Sequence, residues 1–326
     1  MTSRPLVPVL VGPTAVGKTA VAAALAAHAP VTVISADARQ IYRGLDIGTA
    51  KPDPDTLARV PHRGLDVVDP GEPYSAGRFA RDAAGWVAEA LVGGRLPVVV
   101  GGTGFYVRAL VDGLFQEPPI DPARRGRLRA WTAELDAAAL ARWAARLDRR
   151  YAGGGRQRAA RVIEMALLTG RPLSWWQAHA RETGALVPWY IHLTLPRDVL
   201  HRRIAERVDR MLEAGLVAEV RGLLERGVRA DAPGLDAVGY REVAAMLAGS
   251  LAPAELREAI VVATRRYAKR QETWFRHQLH EEVGRGKGEG YVWTLDASDD
   301  PDILARRILE RWRSVTHPPS PFPLPR

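Results

Sequence analysis

The stretch LVPVLVGPTAVGKTAVAAALAAH, residues 6–28, decides the fold. Its first six residues are apolar and predict a short buried strand, and its Ala- and Val-rich end predicts a helix. Between them, residues 12–19 (GPTAVGKT) match the P-loop spacing G-x-x-x-x-G-K-[ST], and the order strand, glycine loop, helix is the context that this motif requires. The sequence therefore predicts a phosphate-binding loop that opens a parallel α/β sheet.

The residues of this loop have distinct parts in holding phosphate. Gly12 and Gly17 let the backbone turn so that successive N–H groups face one anion, and the helix N-terminus adds partial positive charge. Lys18 supplies a cation for a diphosphate, and the Thr19 hydroxyl is placed to ligate Mg²⁺. The motif alone leaves open which ligand binds and whether its phosphates are transferred or leave. The predicted diphosphate-binding residues are Gly12, Thr14, Ala15, Val16, Gly17, Lys18 and Thr19.

Length and composition limit the class of protein. A chain of 326 residues with 47% hydrophobic residues suggests about two domains with ample core. The sequence has no apolar run of membrane-spanning length and no secretory leader pattern, so a cytoplasmic protein that does not enter a membrane is expected. The absence of cysteine excludes disulfides and thiolate metal sites.

Positive charge is concentrated in one part of the chain. The net charge is +9, with Arg in great excess over Lys, as a GC-rich coding bias would produce. Residues 121–184 alone hold 13 Arg and no Lys against six acidic residues, a net charge of +7. Such a concentration favours a polyanion-binding surface. A solvated, Arg-rich helical face is the alternative.

The remaining pattern predicts a P-loop-type parallel α/β core flanked by helices, with an inserted helical domain. The core comprises residues 1–120 and 186–316, the basic helical insertion residues 121–185, and the Pro-rich tail 317–326 is expected to be disordered. His62 is predicted to be a turn residue. The predicted strands are 6–11, 31–35, 65–70, 96–101 and 188–195, and residues 198–227 and 237–284 are predicted to be mostly helical.

Two polar residues follow predicted strands at the edge where the P-loop lies. Because ligands of open parallel sheets sit beyond the carboxyl ends of the strands, Asp37 should face the same crevice as the P-loop. Thr103 is placed at the carboxyl end of its own strand. Asp37 is interpreted as a Mg²⁺ ligand, as in P-loop kinases, as a general base, or as a structural loop residue. Thr103 ends a strand that lacks the acidic residue of many kinases, and it offers a neutral hydroxyl for hydrogen bonding.

Further candidates lie on predicted helices. Arg158 and Arg161 are three residues apart and share one helix face, which suits phosphate contacts or a plain exposed face with an Arg161–Glu164 pair. The Trp175–Trp176 pair could stack on bases or belong to a core. Arg207 could reach the diphosphate. The basic and aromatic runs 238–242 and 264–276, which are polyanion-binding or exposed-helix candidates, contain Arg241, Arg265 and Lys269.

Long blocks of the sequence closely resemble one family, the tRNA dimethylallyltransferases or tRNA isopentenyltransferases. The blocks run in family order over about residues 6–276 and are far more specific than the P-loop alone. They include GPTAVGKT (12–19), SADARQIYRGLDIGTAKP (35–52), VPHRGLDVVDP (60–70), YSAGRFARDA (74–83), VVVGGTGFYVRAL (98–110), QRAARVIEMALLTGRP (157–172), RVDRMLEAGLVAEV (207–220), VGYRE (238–242) and ATRRYAKRQETWFR (263–276).

The resemblance implies a specific reaction. In the family the P-loop holds dimethylallyl diphosphate, and the C5 group passes to N6 of the adenosine 3′-adjacent to the anticodon in tRNAs that read codons beginning with U. Diphosphate is released, Mg²⁺ is the implied cofactor, and a monomer is expected. By the same resemblance Asp37 is the base on the amine, Thr103 contacts the region of the target adenosine, and Arg207 acts with Lys18 and Thr19 on diphosphate and Mg²⁺.

The resemblance also assigns tRNA contacts. The basic insertion coincides with the tRNA-gripping helical domain of the family. Ala38 stands where the family commonly has Ser, which leaves that single contact open. Besides Thr103, the implied tRNA-binding residues are Asp37, Ala38, Arg39 and Gln40, then Gln157, Arg158, Ala159, Ala160 and Arg161, with Arg241, Arg265 and Lys269 as weaker candidates.

Two alternative functions remain compatible with the P-loop. One is a small-metabolite kinase in which the Arg-rich insertion is a lid that clamps ATP. The other is a non-catalytic, nucleic-acid-binding NTPase module. Both explain the phosphate-binding loop, but neither explains the long co-linear blocks.

Overall fold

The structure, a computed structural model, describes residues 4–180, 182–284 and 291–316 and divides into two compact units. The first unit holds the chain up to Val111 and from Ala185 onward, and the second holds Asp112–Gly184. The predicted Pro-rich tail, residues 317–326, lies outside the described residues. In the part of the chain that is described, no helix is both long and apolar enough to cross a membrane.

A parallel sheet forms the centre of the first unit. Its strands are β1 (Leu6–Val11), β2 (Val31–Ser35), β3 (His62–Arg63), β4 (Leu96–Gly101), β5 (Val187–Thr194) and β6 (Val292–Asp296). Among the described residues these six strands have the order β3-β2-β4-β1-β5-β6, and every pairing is parallel. The predicted fold class, a P-loop-type parallel sheet with flanking helices and a helical insertion, is confirmed.

Helices flank the sheet and form the second unit. The helices of the first unit are α1 (Lys18–His28), α2 (Pro54–Arg59), α3 (Ala76–Val92), α4 (Gly104–Asp112), α9 (Arg197–Glu213), α10 (Leu216–Glu225), α11 (Tyr240–Leu247), α12 (Leu256–Gly284) and α13 (Pro301–Thr316). Those of the second unit are α5 (Pro122–Glu134), α6 (Ala137–Leu147), α7 (Arg156–Thr169) and α8 (Leu173–His179).

The central strands are β-branched and apolar because both faces of the sheet are covered. Alternate residues of β2, β4 and β5, such as Val31 and Val33 of β2, belong to a core that includes apolar residues of α1 and α13. The indole of Trp189 on β5 lies within this core, with ring centroids 5.5 Å from Trp312 and 6.2 Å from Trp293. This packing fixes the strand ends on which the site is built.

Two predictions for the sheet are wrong, and two strands, β3 and β6, were not predicted. Residues 65–70 are not a strand, because Asp66 adopts a left-handed φ of 54° and Val68 makes only an isolated bridge to Tyr42. His62 lies in β3 rather than in a turn. The edge strand β6 was not predicted, since only one of its five residues is buried and its apolar pattern is weak.

The second unit has its own small core of apolar side chains from helices α5 to α8. Its boundary lies nearer the N-terminus than the predicted residue 121. Phe115 and Ile120 pack against the core of this unit, and the Glu182 amide donates to the Leu114 carbonyl at 2.8 Å. Residues 112–120, which the sequence analysis assigned to the α/β core, therefore belong to the helical unit.

Candidate active site

The P-loop connects β1 to α1 with the geometry of an anion cradle. Gly12 has a φ of 150°, and a Cβ at this position would lie 2.6 Å from the Leu193 carbonyl oxygen, so only glycine fits. Gly17 is the N-cap of α1 with a φ of 110°, and Lys18 is the first helical residue. The loop backbone therefore lies at a helix N-terminus, which favours bound anions.

Lys18 lies folded back on the loop that carries it. Its Nζ donates to the carbonyl oxygens of Gly12, at 2.9 Å, and Pro13, at 2.7 Å. Burial lowers the pKa of Lys18 from its usual 10.5 to about 7, with Asp37 opposing this shift and Arg207 adding to it. A diphosphate placed in the loop would supply the counter-charge that this lysine lacks.

The loops after β2 and β4 are joined directly by hydrogen bonds. The Thr103 amide donates to the Ala36 carbonyl at 3.2 Å, and the Thr103 Oγ1 accepts from the Ala38 amide at 3.0 Å. The Asp37 Oδ1 accepts from the Arg39 amide at 2.8 Å, which fixes the orientation of the carboxylate. Asp37 and Thr103 thus lie at one edge of the sheet.

Arg207 of α9 brings a second cation to this edge. Its Nη2 donates to the Thr49 carbonyl at 3.3 Å. Burial lowers the pKa of Arg207, and the negative charge of Asp37 opposes that effect. Lys18, Arg207 and Asp37 therefore form a partly buried cluster of two cations and one carboxylate contributed by three separate segments.

The segment after Asp37 has intramolecular partners of its own. Gln40 accepts from the Ser35 hydroxyl at 2.8 Å and donates to the Thr49 carbonyl at 3.2 Å. Arg39 donates to the Pro233 carbonyl at 2.7 Å. These predicted tRNA-contacting side chains therefore also hold the loop in shape.

The residues present fit a magnesium ion that is shared with a phosphate ligand. Thr19 is exposed at the second position of α1. Within the described residues, no group of three or more His, Cys, Asp or Glu side chains could hold a metal by itself. Mg²⁺ suits such a site because it typically binds through one or two protein oxygens, substrate phosphates and water.

The predicted tRNA-binding residues of the helical unit differ in availability. Gln157 and Arg158 of α7 are exposed, whereas Ala159 is buried in the core of the unit. Arg161 forms ion pairs with Glu117 and Glu164, so the Arg161–Glu164 pair considered from the sequence is present. Burial alone would raise the pKa of Glu164, but its arginine neighbours hold that pKa below its usual range. These neighbours are Arg125, Arg129 and Arg161.

The weaker candidates of the first unit lie on α11 and α12. Arg241 is exposed and paired with Asp236 and Glu242. Arg265 is half-buried, with no hydrogen-bond partner for its Nε among the described residues. Lys269 is exposed and lines a cavity of about 610 Å³ together with other side chains, including Arg266, Arg270 and Trp274.

Two polar residues of α12 that lie at the site were not predicted from the sequence. Tyr267 lies near Thr103 and Asp37, and burial, reinforced by Asp37, raises the pKa of Tyr267 to about 12. Gln271, one turn later, is buried and bonds the P-loop. A third residue that was missed, His192 on β5, has its pKa lowered to about 4 by burial and by Lys18. A polar residue inside an otherwise apolar pattern was the available signal for Gln271 and His192.

Comparisons with known proteins identify the family of the chain. A family model described as IPP transferase matches residues 40–278, and one described as isopentenyl transferase matches residues 5–63. A tRNA dimethylallyltransferase of Geobacillus thermodenitrificans is 42% identical over 94% of this chain and 95% of its own length. The chain belongs to the tRNA dimethylallyltransferase family. The resemblance stated from the sequence is therefore confirmed.

Another sequence relative and two solved structures also match most of the chain. A tRNA dimethylallyltransferase of Thiobacillus denitrificans is 47% identical over 82% of this chain and 87% of its own length. The crystal structure of a tRNA isopentenylpyrophosphate transferase from Bacillus halodurans is 34% identical, with a TM-score of 0.65, and the match covers 97% of this chain and 100% of that one. A structure of a eukaryotic dimethylallyltransferase acting on tRNA, 24% identical, shares the fold with a TM-score of 0.80 over 97% of this chain and 80% of its own.

Proposed function

We propose that this enzyme transfers the dimethylallyl group of dimethylallyl diphosphate to N6 of the adenosine 3′-adjacent to the anticodon, in tRNAs that read codons beginning with U. Diphosphate is the second product. The observation that carries this proposal is the joining of a P-loop, Asp37 and Thr103 at one edge of the sheet. Membership of the tRNA dimethylallyltransferase family supports the same reaction.

The diphosphate side is the P-loop with its two cations. Loop amides and the N-terminus of α1 bind phosphate oxygens, and Lys18 and Arg207 neutralise the charge that grows on the leaving group. Their partial burial strengthens that neutralisation, because a low-dielectric surrounding increases each charge interaction. Mg²⁺, held by the Thr19 hydroxyl and phosphate oxygens, would supply further positive charge to the leaving diphosphate.

The acceptor side is Asp37 with Thr103. The bond between the allylic carbon and the diphosphate oxygen breaks, and its electron pair leaves with the diphosphate. A bond forms between that carbon and N6 of adenine, and Asp37 accepts the N6 proton as the bond forms. The adenine must leave its stack to reach the site, and once seated it helps to exclude water from the allylic cation.

The helical unit supplies the tRNA grip in this proposal. Its excess of arginine suits phosphate contacts. Gln157 and Arg158 lie exposed in the first turn of helix α7, where they are accessible to tRNA. Arg161 pairs with Glu117 and Glu164, so it holds the segment before α5 in place and also contributes positive charge. We propose that the enzyme acts as a monomer in the cytoplasm, where its tRNA substrates are.

The proposal is tested by product identity. The purified protein is incubated with Mg²⁺, labelled dimethylallyl diphosphate and unmodified tRNA, and label in tRNA is measured beside diphosphate release. Equal amounts of label and diphosphate are expected. A parallel reaction with ATP and small hydroxylated acceptors tests the kinase alternative. Consumption of ATP with no label in tRNA would reject the proposal.

A further inference from the structure

The Gln271 side chain joins two loops of the site. It is 5% exposed. Its Oε1 accepts from the Thr14 amide at 2.8 Å, and its Nε2 donates to the Gly102 carbonyl at 2.9 Å. These partners lie 257 and 169 residues away in the sequence. One carboxamide on α12 therefore bonds the P-loop and the loop after β4 at the same time.

The contact is specific for glutamine. A carboxamide presents a donor and an acceptor side by side, whereas an ionised glutamate of the same length presents only acceptors. A Cβ at Gly102 would overlap the Gln271 amide nitrogen, so the glycine is required for this close approach. The contact therefore requires both the carboxamide of Gln271 and the glycine at position 102.

The two loops carry opposite halves of the reaction. Thr14 belongs to the loop that folds around Lys18, on the diphosphate side. Gly102 immediately precedes Thr103, whose hydroxyl holds the Ala38 amide on the acceptor side. Helix α12 therefore bonds the acceptor-side loop and the P-loop through the same side chain.

We propose that Gln271 is a positioning residue that sets the separation between the bound diphosphate and the acceptor adenine. This inference rests on the proposed function. Gln271 acts through Thr14 and Gly102, the two backbone groups that it holds. In prenyl transfer the allylic carbon must meet the acceptor nitrogen, and a displacement of about 1 Å costs on the order of 10²-fold in rate. Loss of the two Gln271 hydrogen bonds therefore lowers kcat more than it weakens the binding of either substrate.

The first test replaces the amide by a group of similar length that cannot form hydrogen bonds. In Gln271→Met we expect kcat for prenyl transfer to fall by about 10- to 100-fold, with both KM values within about three-fold of wild type. Affinity for inorganic diphosphate, measured by calorimetry, should also stay within about three-fold. The matched control is Thr264→Val on the same helix, because the Thr264 hydroxyl donates to the Ile260 carbonyl of α12 itself and not, among the described residues, to a loop of the site. The kcat of this variant should equal that of wild type.

The second test uses protonation to restore the missing donor. In Gln271→Glu the ionised carboxylate faces the Gly102 carbonyl, whereas the protonated acid can donate to it as the amide does. Burial beside a carbonyl raises the pKa of the introduced acid. We therefore expect the activity of this variant relative to wild type to rise as the pH is lowered from about 8 to about 6. A role in packing alone would give a ratio that does not change with pH.

Three results would overturn the inference. They are wild-type kcat in Gln271→Met, a loss confined to diphosphate affinity, and a pH-independent ratio in Gln271→Glu. If the Met variant does not fold, which thermal unfolding reveals, the pH ratio of the Glu variant decides. Failure of the proposed function gives a different result, since the wild-type protein would then transfer no prenyl group at all.

Discussion

Binding of an allylic diphosphate should change the protonation of Lys18. With a pKa of about 7, this lysine is roughly 90% neutral at pH 8 in the ligand-free protein. A bound diphosphate supplies the missing counter-charge and returns the pKa toward its usual value, so about 0.9 proton per site is taken up on binding. Titration calorimetry of dimethylallyl diphosphate without tRNA, at pH 8 in two buffers of different ionisation enthalpy, measures this number.

The control for this measurement is Lys18→Met, which keeps the length of the side chain and removes the titrating group. Proton uptake should fall to near zero in the variant, together with a loss of affinity. In the ligand-free protein the lowered pKa of Lys18 destabilises the folded state. This destabilisation is complete below pH 7 and is relieved as the pH rises toward 10.5. Equal proton uptake in wild type and variant, or none in either, would refute the assignment of Lys18 as the charge that receives the diphosphate.

Two further predictions concern the acceptor side and the tRNA grip. Asp37→Ala should lower turnover by about 10²-fold or more while tRNA affinity stays within several-fold, because the base accepts the proton of the amine during the reaction. Turnover equal to wild type would show that Asp37 is not the base. Arg158→Ala should reduce the salt dependence of tRNA binding by about one phosphate contact, measured as the slope of log affinity against log salt concentration. Arg161→Ala should also lower the thermal stability of the helical unit, because it leaves Glu117 and Glu164 with fewer partners. A salt dependence of tRNA binding that is unchanged in both variants would show that these arginines do not contact the tRNA phosphates.

The strand-end rule explains which parts of the site the sequence could predict. The P-loop, Asp37 and Thr103 each follow an apolar run, and parallel strands bring their carboxyl ends to one edge. The structure bonds the two later loops directly, through Thr103 and Ala38. Arg207 lies far along the chain, yet its place beside Asp37 also agrees with the expectation of a diphosphate-side cation.

Other features depend on contacts that no local pattern encodes. Gln271 gains its meaning from partners 257 and 169 residues away. Residues 65–70 have strand-like composition, but the positive φ of Asp66 takes them out of the sheet. The arginine count of the insertion could not distinguish Arg158, which is exposed, from Arg161, which is already paired with two glutamates.

The central claim is that the P-loop holds a leaving group while carbon is transferred to one adenosine. The most direct measurement uses anticodon stem-loops of a tRNA that reads a codon beginning with U, with either adenosine or guanosine at the position 3′-adjacent to the anticodon. After reaction with dimethylallyl diphosphate, nucleoside mass spectrometry is expected to find dimethylallyl-adenosine only in the first RNA, with one diphosphate released per modification. Prenylation of the guanosine variant, modification at another adenosine, or phosphate transfer from ATP would contradict the account.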